Sequence, residues 1–486
     1  MSFKNNILDV KSSFLGVKNV FFCGIGGIGM SGLALLAKNN GFNVSGSDSC
    51  SAEMNKNIKF LLENGINVCN NHSSENLKDV QLVVYTSAIN LESNSEIIEA
   101  KRRSIEFVSR ADFLARLMFK YNNFVVSGSH GKTTTTAMIG HILHKLNYDN
   151  NIILGGVMNE FKSNVKIGAG DDFAVESDES DGSFVKLPVD IGVINNIDPE
   201  HLDYYGDFDS LQEHFYHFAV NALDGSGLVV CVDNVNCQNL LQKLNSNIVF
   251  TGELVTCGFN KEADFVAENV RFQNDGMLFD FVDNISSNTY NDVYLPMFGE
   301  LNVINAVAAV AAVYIGKRCD LSIILNSLSS FMGVEKRFSV VGHFNGAMVV
   351  DDYAHNPQKI AVAINAARHY LDSCDLSGRL IVFFEPHRYT RVKNSISGFV
   401  QSLKMADVVY IMDIYSSSEQ KIDGIDCNFI LNSFVDDGCK NVSCCVSDFT
   451  EVQKSLFAIN VDKNDVVLFV GAGLSSYIAK MTCFSK

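Results

Sequence analysis

The chain has 486 residues, which is too long for a single hydrophobic core and predicts about three domains. Its formal net charge of −17 argues against nucleic acid as the main partner, because nucleic-acid phosphates would be repelled. No stretch approaches the ~20 consecutive apolar residues that span a bilayer, so we predict no membrane insertion. Thirteen scattered cysteines and a polar N-terminal segment, MSFKNNILDVKSSF, favour a cytoplasmic protein without a disulfide framework or signal peptide.

The first clear signal is a strand over 17–23, a glycine-rich turn over 24–29, a helix, and a second strand that leads to Asp48. This β-α-β pattern is typical of the dinucleotide-binding half of an α/β domain, in which an acidic residue about twenty positions further on holds a ribose. Two interpretations stay open at this point. The turn binds NAD, or its helix N-terminus holds the diphosphate of another nucleotide.

A second strand–turn–helix pattern follows the predicted strand 124–126 and reads GSHGKTTTT over 128–136. Backbone N–H groups of such a turn carry partial positive charge, Lys132 can reach the outer phosphates of ATP, and Thr133 or Thr134 can offer a hydroxyl to Mg²⁺. Only two residues separate Gly128 from Gly131, whereas the common phosphate-binding loop has four. Two phosphate sites in separate α/β domains favour a ligase or kinase that holds ATP and a nucleotide-linked substrate.

Polar side chains follow two apolar strands of the middle segment. Glu176 is the first polar residue at the carboxyl end of the strand 173–176, so we predict that it binds Mg²⁺. We assign the later acids of ESDESD to a loop and a helix cap. His201 lies in the polar run that follows the strand near 191–195. We expect it to bind a second metal or to orient the reacting carboxylate.

Two asparagines, Asn302 and Asn305, lie one turn apart on an alanine-rich helix predicted over 302–315. Buried amides need hydrogen-bond partners, which the base or phosphates of ATP can supply. The alternative for Asn302 is an N-cap.

The last third of the chain again alternates strands and helices. We expect Arg337, at a domain boundary, and Asp352, at a strand end, to reach the γ-phosphate when domains close. After the strand 380–384, His387, Arg388 and Arg391 form a compact anion site that suits a carboxylate.

The predicted fold class is α/β with three domains. They are a Rossmann-like N-terminal domain over 1–120, a central P-loop-type ATPase domain with a mixed or parallel sheet over 121–334, and a C-terminal Rossmann-like domain over 335–486. Within them we predict short strands and loops over 226–298 and a helix over 395–405.

These motifs together resemble the Mur ligase family over nearly the whole chain. The segments that carry the resemblance are GIGGIGMSGLA at 24–34, GSHGKTTTT at 128–136, ESDESDGSF at 176–184, NNIDPEHLDYY at 195–205, FGELNVINA at 298–306, DDYAHNP at 351–357 and EPHRYTR at 385–391. The two-residue glycine spacing, unusual for a generic phosphate loop, is this family's form.

The resemblance implies a role for each candidate residue. It places the UDP of a nucleotide sugar on Gly26, Gly27, Ile28, Asp48, Thr86, Ser87 and Ala88. It places ATP on Gly128, Ser129, His130, Gly131, Lys132, Thr133, Thr134, Asn302, Asn305 and Arg337, and Mg²⁺ on Thr133, Glu176 and His201. It makes Lys132, His201, Arg337 and Asp352 catalytic, and it gives His387, Arg388 and Arg391 to the incoming amino acid.

The activity that the resemblance implies is ATP-dependent joining of L-alanine to the lactyl carboxylate of UDP-N-acetylmuramate, through an acyl phosphate, in peptidoglycan precursor synthesis. No lysine occurs between His201 and Asn221, where several members of the family carry a carbamylated one. One alternative is a ligase of the same fold that recycles murein peptides onto the same nucleotide sugar. Another is an NAD-sensing module, suggested by the first turn alone. Monomer and dimer both stay open.

Overall fold

The computed structural model describes residues 14, 16–51, 53, 55–245, 250–273, 276–373, 377–417, 419–439 and 441–483. Residues 1–13, on which the expectation of no signal peptide rests, lie outside this part. The chain forms two compact units. The first comprises Met1–Glu268, Asp280–Val293 and Ile304–Met332, and the second comprises Asn269–Phe279, Tyr294–Val303 and Gly333–Lys486.

The N-terminal sheet has five parallel strands in the order β3-β2-β1-β4-β5. Its strands are β1 (Asn19–Cys23), β2 (Asn43–Ser47), β3 (Asn67–Cys69), β4 (Leu82–Tyr85) and β5 (Glu106–Ser109). Its helices are α1 (Ile28–Asn39), α2 (Lys56–Glu63), α3 (Ser95–Arg103) and α4 (Arg110–Met118). The order of the strands reverses between β1 and β4, and ligands of open α/β sheets bind at such a point.

The second sheet has ten strands in the order β15-β14-β13-β12-β11-β10-β6-β9-β7-β8. Its strands are β6 (Asn122–Ser127), β7 (Asn151–Met158), β8 (Ser163–Lys166), β9 (Asp172–Glu176), β10 (Ile191–Ile194), β11 (Gly227–Cys231), β12 (Glu253–Gly258), β13 (Phe265–Gln273), β14 (Gly276–Asp283) and β15 (Asn288–Leu295). The two neighbours of the central strand β6, which are β9 and β10, are parallel to it, whereas β7 and β8 are antiparallel to each other. The carboxyl ends of β6, β9 and β10 therefore meet at one edge.

The helices that accompany this sheet in the chain are α5 (Lys132–Lys145), α6 (Leu202–Tyr205), α7 (Phe208–Asp224), α8 (Val235–Asn245), α9 (Glu300–Lys317) and α10 (Leu321–Ser327). Helix α9 is long and apolar enough to cross a membrane by length and composition, but 61 % of its 18-residue window is buried, as in the core helix of a globular protein. This helix contains the alanine-rich helix that we predict over 302–315.

The third sheet has six strands in the order β16-β17-β21-β18-β19-β20, with only β16 antiparallel to its neighbour. Its strands are β16 (Ser339–Phe344), β17 (Ala347–Asp352), β18 (Leu380–Phe384), β19 (Val408–Ile411), β20 (Val442–Cys444) and β21 (Val466–Val470). Its helices are α11 (Pro357–Ser373), α12 (Tyr389–Leu403), α13 (Cys427–Asp436), α14 (Phe449–Ala458) and α15 (Ser475–Cys483). Strands β18 and β21 are wholly apolar and buried, as expected for parallel strands covered on both faces. The predicted α/β fold class is confirmed.

Three details differ from the sequence predictions. The stretch 226–298, predicted as short strands and loops, contains helix α8 and the eight- and nine-residue strands β13, β14 and β15. Helix α12 begins at Tyr389 rather than near residue 395, and Ser395 has non-helical backbone angles inside it. Cys427 and Cys444 form a disulfide with a Cα–Cα distance of 6.2 Å, a pairing that the scattered cysteines did not indicate.

Candidate active site

The phosphate turn, residues 128–131, joins the end of β6 to the start of α5 and depends on two glycines. Gly128 and Gly131 have φ values of +134° and +82°, which residues with a Cβ rarely adopt. A Cβ on Gly131 would collide with Asn305 Oδ1 and lie 2.7 Å from Asn195 Nδ2. Amide groups therefore pack closely against the turn, and positions 128 and 131 require glycine.

Two backbone donors of this turn are already used within the protein. Ser129 donates its N–H to the carbonyl of Asn196 (3.2 Å), and His130 donates its N–H to Asn196 Oδ1 (2.7 Å). Asn195 Nδ2 donates to the carbonyl of His130 (3.2 Å) and to Thr135 Oγ1 (3.0 Å). The sequence predicts partial positive charge on the N–H groups of this turn. The N–H groups of Ser129 and His130 donate to Asn196, so they are not available to a ligand. The N–H groups at the start of α5 remain as donors for one.

Lys132 lies at the first position of α5 and forms a buried ion pair. Its Nζ donates to Glu179 Oε2 (2.6 Å) and to the carbonyl of Gly128 (2.7 Å). Burial alone would lower the pKa of Lys132, but the charges of Glu179, Asp178 and Glu176 outweigh it and raise that pKa above its ordinary value. Lys132 is therefore a permanent cation at the turn. Glu179 does lie in the loop after β9, as predicted, but its side chain is fully buried against Lys132 and therefore belongs to the site.

Oxygen ligands suited to Mg²⁺ gather beside Lys132. Thr133 Oγ1 donates to Glu176 Oε1 (2.9 Å), which brings together two residues that the sequence predicted as metal ligands. Asp178, Glu179 and His201 each place a potential ligand atom within 4.8 Å of the others. Glu179 Oε1 is buried and makes no hydrogen bond within the described residues, and His201 Nε2 lies 3.6 Å from it. This donor set fits a hard cation.

A histidine that the sequence singled out only as part of the turn is held by acids. His130 Nε2 lies 3.3 Å from Asp198 Oδ2, and its Nδ1 lies 4.0 Å from Glu200 Oε1. Asp198 also donates its backbone N–H to Ser129 Oγ (2.9 Å), so the polar run after β10 fixes the turn from the side. Sequence reasoning missed the roles of Asn195, Asn196 and Asp198, although their position after an apolar strand was the signal.

The two asparagines of α9 have different partners. Asn305 is buried, and its Oδ1 accepts from Asn195 Nδ2 (3.5 Å), beside the phosphate turn. Asn302 is the third residue of α9, not its N-cap, and its Nδ2 donates to the carbonyl of Phe298 (2.7 Å). Contacts of either residue with ATP stay a prediction.

The glycine turn, residues 24–27, lies at the carboxyl end of β1. Asp48 Oδ2 accepts the N–H of Gly26 (2.9 Å), and a Cβ on Gly24, whose φ is +76°, would lie 2.8 Å from Thr86 Cγ2. The expected neighbours Asp48 and Thr86 thus do meet this turn, and Ser87 and Ala88 lie in the bend that Thr86 and Ile89 close (3.0 Å). Gly27 is the N-cap of α1, and Ile28 is its partly exposed first residue.

In the second unit, Asp352 holds two backbone segments. Its Oδ2 accepts the N–H of Phe338 (2.7 Å), and its Oδ1 accepts that of Ala354 (2.8 Å). Burial raises the pKa of Asp352 to about 6, although the charge of Arg337 opposes the shift. The structure therefore places Asp352 close to Arg337, as expected for residues that act together.

His387, Arg388 and Arg391, which we predict to bind a carboxylate, lie close together. Arg391 NH1 contacts His387 Nδ1 (2.7 Å), and the His387 ring stacks on Tyr415 with 5.7 Å between centroids. Arg388, with a φ of +67°, is the N-cap of α12 and donates its N–H to the carbonyl of Tyr415 (2.9 Å). Burial, followed by the charges of Arg391 and Arg388, lowers the pKa of His387 to about 4. His387 is therefore neutral near pH 7, and since Nδ1 accepts from Arg391, Nε2 carries the proton.

Three family models match consecutive parts of the chain. "Mur ligase family, catalytic domain" matches residues 19–122, "Mur ligase middle domain" matches 126–313, and "Mur ligase, glutamate ligase domain" matches 336–473.

Relatives of known name match over nearly the full length. The UDP-N-acetylmuramate–L-alanine ligase of Parvibaculum lavamentivorans is 37 % identical over 470 residues, which cover 96 % of this chain and 92 % of the relative. That of Desulforapulum autotrophicum is 37 % identical and covers 94 % of this chain and 96 % of the relative. The crystal structure of the UDP-N-acetylmuramate-alanine ligase of Thermotoga maritima has a TM-score of 0.76 at 28 % identity, covering 96 % and 98 % of the two chains. A murein peptide ligase of Psychrobacter arcticus shares the fold, with a TM-score of 0.65 at 22 % identity over 96 % and 98 %.

Proposed function

The chain belongs to the Mur ligase family, and we propose on that basis that it joins L-alanine to the lactyl carboxylate of UDP-N-acetylmuramate, with ATP converted to ADP and phosphate. The observation that carries this proposal is the match, at 36–38 % identity over at least 93 % of the chain, to relatives named for that reaction. The arrangement around Lys132 supports it, because a ligase must first activate its carboxylate.

The need for activation follows from the chemistry of the carboxylate. An amine cannot displace an oxide ion from it, so ATP transfers its γ-phosphoryl group to the carboxylate and an acyl phosphate forms. The amine of L-alanine then attacks the acyl carbon, and phosphate leaves from the tetrahedral intermediate. Because charge develops on the transferred group, a fixed cation beside the phosphates lowers the barrier. Lys132, with its raised pKa and its contact to the turn at Gly128, is placed for this role.

Mg²⁺ is part of the same proposal. Thr133, Glu176 and His201 would hold the ion, with Asp178 and Glu179 beside them, and the ion would neutralise phosphate charge when bound. The buried oxygen Glu179 Oε1, which makes no hydrogen bond within the described residues, is the observation that supports an additional positive group here. Lys132 is Glu179's partner through the other oxygen.

Substrate binding is assigned to two further clusters. The glycine turn with Asp48 and Thr86–Ala88 would bind UDP, and His387, Arg388 and Arg391 would bind the carboxylate of L-alanine. A neutral His387 adds a hydrogen-bond donor at Nε2 without adding charge. Arg337 and Asp352 are proposed to act on the transferred phosphoryl group. The alternative role for His201, in place of binding the ion, is to accept the proton of the alanine ammonium group.

The decisive experiment measures phosphate release from ATP with UDP-N-acetylmuramate and each amino acid in turn. Release that depends on L-alanine, with the amide product identified by mass spectrometry, is expected. Release that depends instead on a murein tripeptide would replace the proposal by the recycling reaction. We also propose that the enzyme is cytoplasmic. We further propose domain boundaries at 120/121 and 334/335, and limited proteolysis would test these boundaries.

A further inference from the structure

A buried carboxylate in the N-terminal sheet region has no part in the proposed chemistry. Glu96 lies in the first turn of α3, and its side chain is fully buried. Its oxygens accept hydrogen bonds from Cys23 Sγ (3.1 Å), Ser47 Oγ (2.8 Å), His72 Nδ1 (2.9 Å), Asn76 Nδ2 (2.8 Å) and the N–H of Ser73 (3.4 Å). Burial of a carboxylate costs free energy unless hydrogen bonds compensate for the lost hydration, and this network supplies them.

The donors to Glu96 lie at the edge where the glycine turn sits. Cys23 is the last residue of β1, directly before Gly24, and Ser47 is the last residue of β2. The carbonyl of Ser47 accepts the N–H groups of Gly24 (2.8 Å) and Ile25 (3.0 Å). Glu96 therefore holds the side chains of both residues on which the glycine turn rests.

The protonation of Cys23 supports this arrangement. Burial raises the pKa of the Cys23 thiol, and the charge and hydrogen bond of Glu96 raise it further. The thiol stays protonated and donates to the carboxylate. The network thus has a defined direction, in which the side chains of the sheet edge donate and Glu96 accepts.

His72 is partly exposed, as are Ser73 and Asn76 of the same network. Its Nδ1 is 2.9 Å from both Glu96 Oε2 and Ser47 Oγ, and its side chain is 26 % exposed. Among the described residues its hydrogen bonds involve Nδ1 alone. A carboxylate that holds one imidazole nitrogen fixes the orientation of the ring and leaves the other nitrogen for a ligand.

A second histidine–glutamate pair shows what a purely structural version looks like. His141 is fully buried, its Nδ1 contacts Glu160 Oε2 (2.6 Å), and its Nε2 bonds to the carbonyl of Ser327 (3.0 Å). Both nitrogens are thus used within the protein. His72 differs in that, among the described residues, Nδ1 is its only hydrogen-bonded ring nitrogen and its side chain is partly exposed.

The geometry points to His72 as a direct contact of UDP, in which a ribose hydroxyl donates to Nε2, because Nδ1 carries the proton that it donates to Glu96. It points to Glu96 as the positioning residue that holds both His72 and the glycine turn. This inference rests on the proposed function for the presence of UDP at this edge. It goes beyond that function by naming two residues that the family resemblance did not assign.

The test measures binding of UDP and of UDP-N-acetylmuramate by calorimetry in the absence of L-alanine, together with the KM values of all three substrates. His72→Ala and Glu96→Gln are each expected to weaken UDP binding about 3- to 10-fold, as for loss of a hydrogen bond between uncharged groups. The KM for ATP should stay within two-fold. Glu160→Gln is the matched control, expected to lower thermal stability while leaving UDP binding unchanged.

Each outcome bears on the inference. Unchanged UDP binding in His72→Ala overturns the direct contact, and unchanged binding in a folded Glu96→Gln overturns the positioning role. If Glu96→Gln does not fold, the ¹⁵N shift of His72 Nε2 in the wild-type protein decides, because UDP must perturb it if the contact exists. Wild-type protein that binds UDP but forms no alanine amide would overturn the proposed reaction while leaving this site standing.

Discussion

Two turns of the first unit share one backbone design and differ in the charge placed beside it. Both follow a buried parallel strand, contain glycines with positive φ, and open a helix. At the glycine turn, the carboxylate of Asp48 accepts the N–H of Gly26. At the phosphate turn, amides of Asn195 and Asn196 hold the backbone, and Lys132 contributes a cation within a cluster of acids.

The difference teaches that a strand–turn–helix unit sets where an anion can lie, whereas the neighbouring side chains decide what happens to it. A turn braced by a carboxylate and a sheet-edge network suits an anion that is held unchanged. At the phosphate turn, Lys132 pairs with Glu179, and Thr133 donates to Glu176. A turn with these charged groups suits an anion whose charge shifts during the reaction.

The strongest way to break this comparison is to remove the cation. Lys132→Ala is expected to lower kcat by about 10³-fold, because a charge aimed at the transferred group acts in the transition state. Binding of UDP-N-acetylmuramate, measured by calorimetry, should change less than two-fold. Lys145→Ala removes a lysine of the same helix that pairs with Glu160 (3.1 Å), and it serves as the control. Loss of UDP-sugar binding in Lys132→Ala would contradict two independent turns.

Steric substitution at each turn sharpens the comparison. Gly131→Ala forces a Cβ into Asn305 and a strained φ, and a displacement of this kind near reacting groups costs about 100-fold in kcat/KM for ATP. Gly24→Ala should instead weaken UDP-sugar binding, because its Cβ meets Thr86. Gly41→Ala has a similar φ, +90°, with open space around it, so it should reduce stability slightly and leave both activities intact. Steady-state kinetics with each substrate varied would check this assignment. A loss for the UDP-sugar in Gly131→Ala, or for ATP in Gly24→Ala, would contradict it.

The sequence predicted much of this site because parallel strands deliver polar residues to one edge. Glu176 followed from that rule, Thr133 followed from the strand–turn–helix pattern, and Asp48 followed from the β-α-β pattern, whereas Thr86 was implied by the family resemblance. The run ESDESD does not indicate which acid turns inward, so Glu179 was missed. The start of α12 was misplaced because Arg388 caps the helix with a positive φ and Ser395 breaks its regularity. The Glu96 network joins residues as many as 73 positions apart, a contact that no local pattern reveals.

The arginines of the second unit test whether a third anion site acts independently of both turns. Arg388→Ala or Arg391→Ala should raise the KM for L-alanine about 30-fold, since a charged partner of the carboxylate is lost. The KM for ATP should change little. Arg368→Ala, which removes an exposed pair with Asp407 (2.8 Å), is the matched control. Unchanged KM for L-alanine in both variants would move the carboxylate site elsewhere.

The smallest expected effect is a pH dependence that separates the second unit from the phosphate turn. The pKa of Lys132 is raised, so its charge does not change in acid, whereas the pKa of His387 is lowered to about 4. An unfolded histidine titrates near 6.5, so below that pH the unfolded chain binds more protons than the folded one. His387 therefore costs stability as the pH falls from about 6.5 towards 4, and contributes nothing above that range.

His387→Gln should remove this cost without the loss of ring-sized volume. The difference in thermal unfolding temperature between the variant and the wild-type protein is expected to shift in favour of the variant by a few degrees as the pH falls from 7 to 4.5. His355, whose pKa burial lowers to about 3, has a dependence of the same sign, and its ring lies 5.5 Å from that of His387, so His355→Gln is measured in parallel. A difference that stays constant with pH would mean that the pKa of His387 is the same in the folded and the unfolded chain, which would contradict its lowered pKa. A difference that shifts in favour of the wild-type protein as the pH falls would mean that His387 is protonated in the folded state, and the neutral donor proposed for the alanine site would then be wrong.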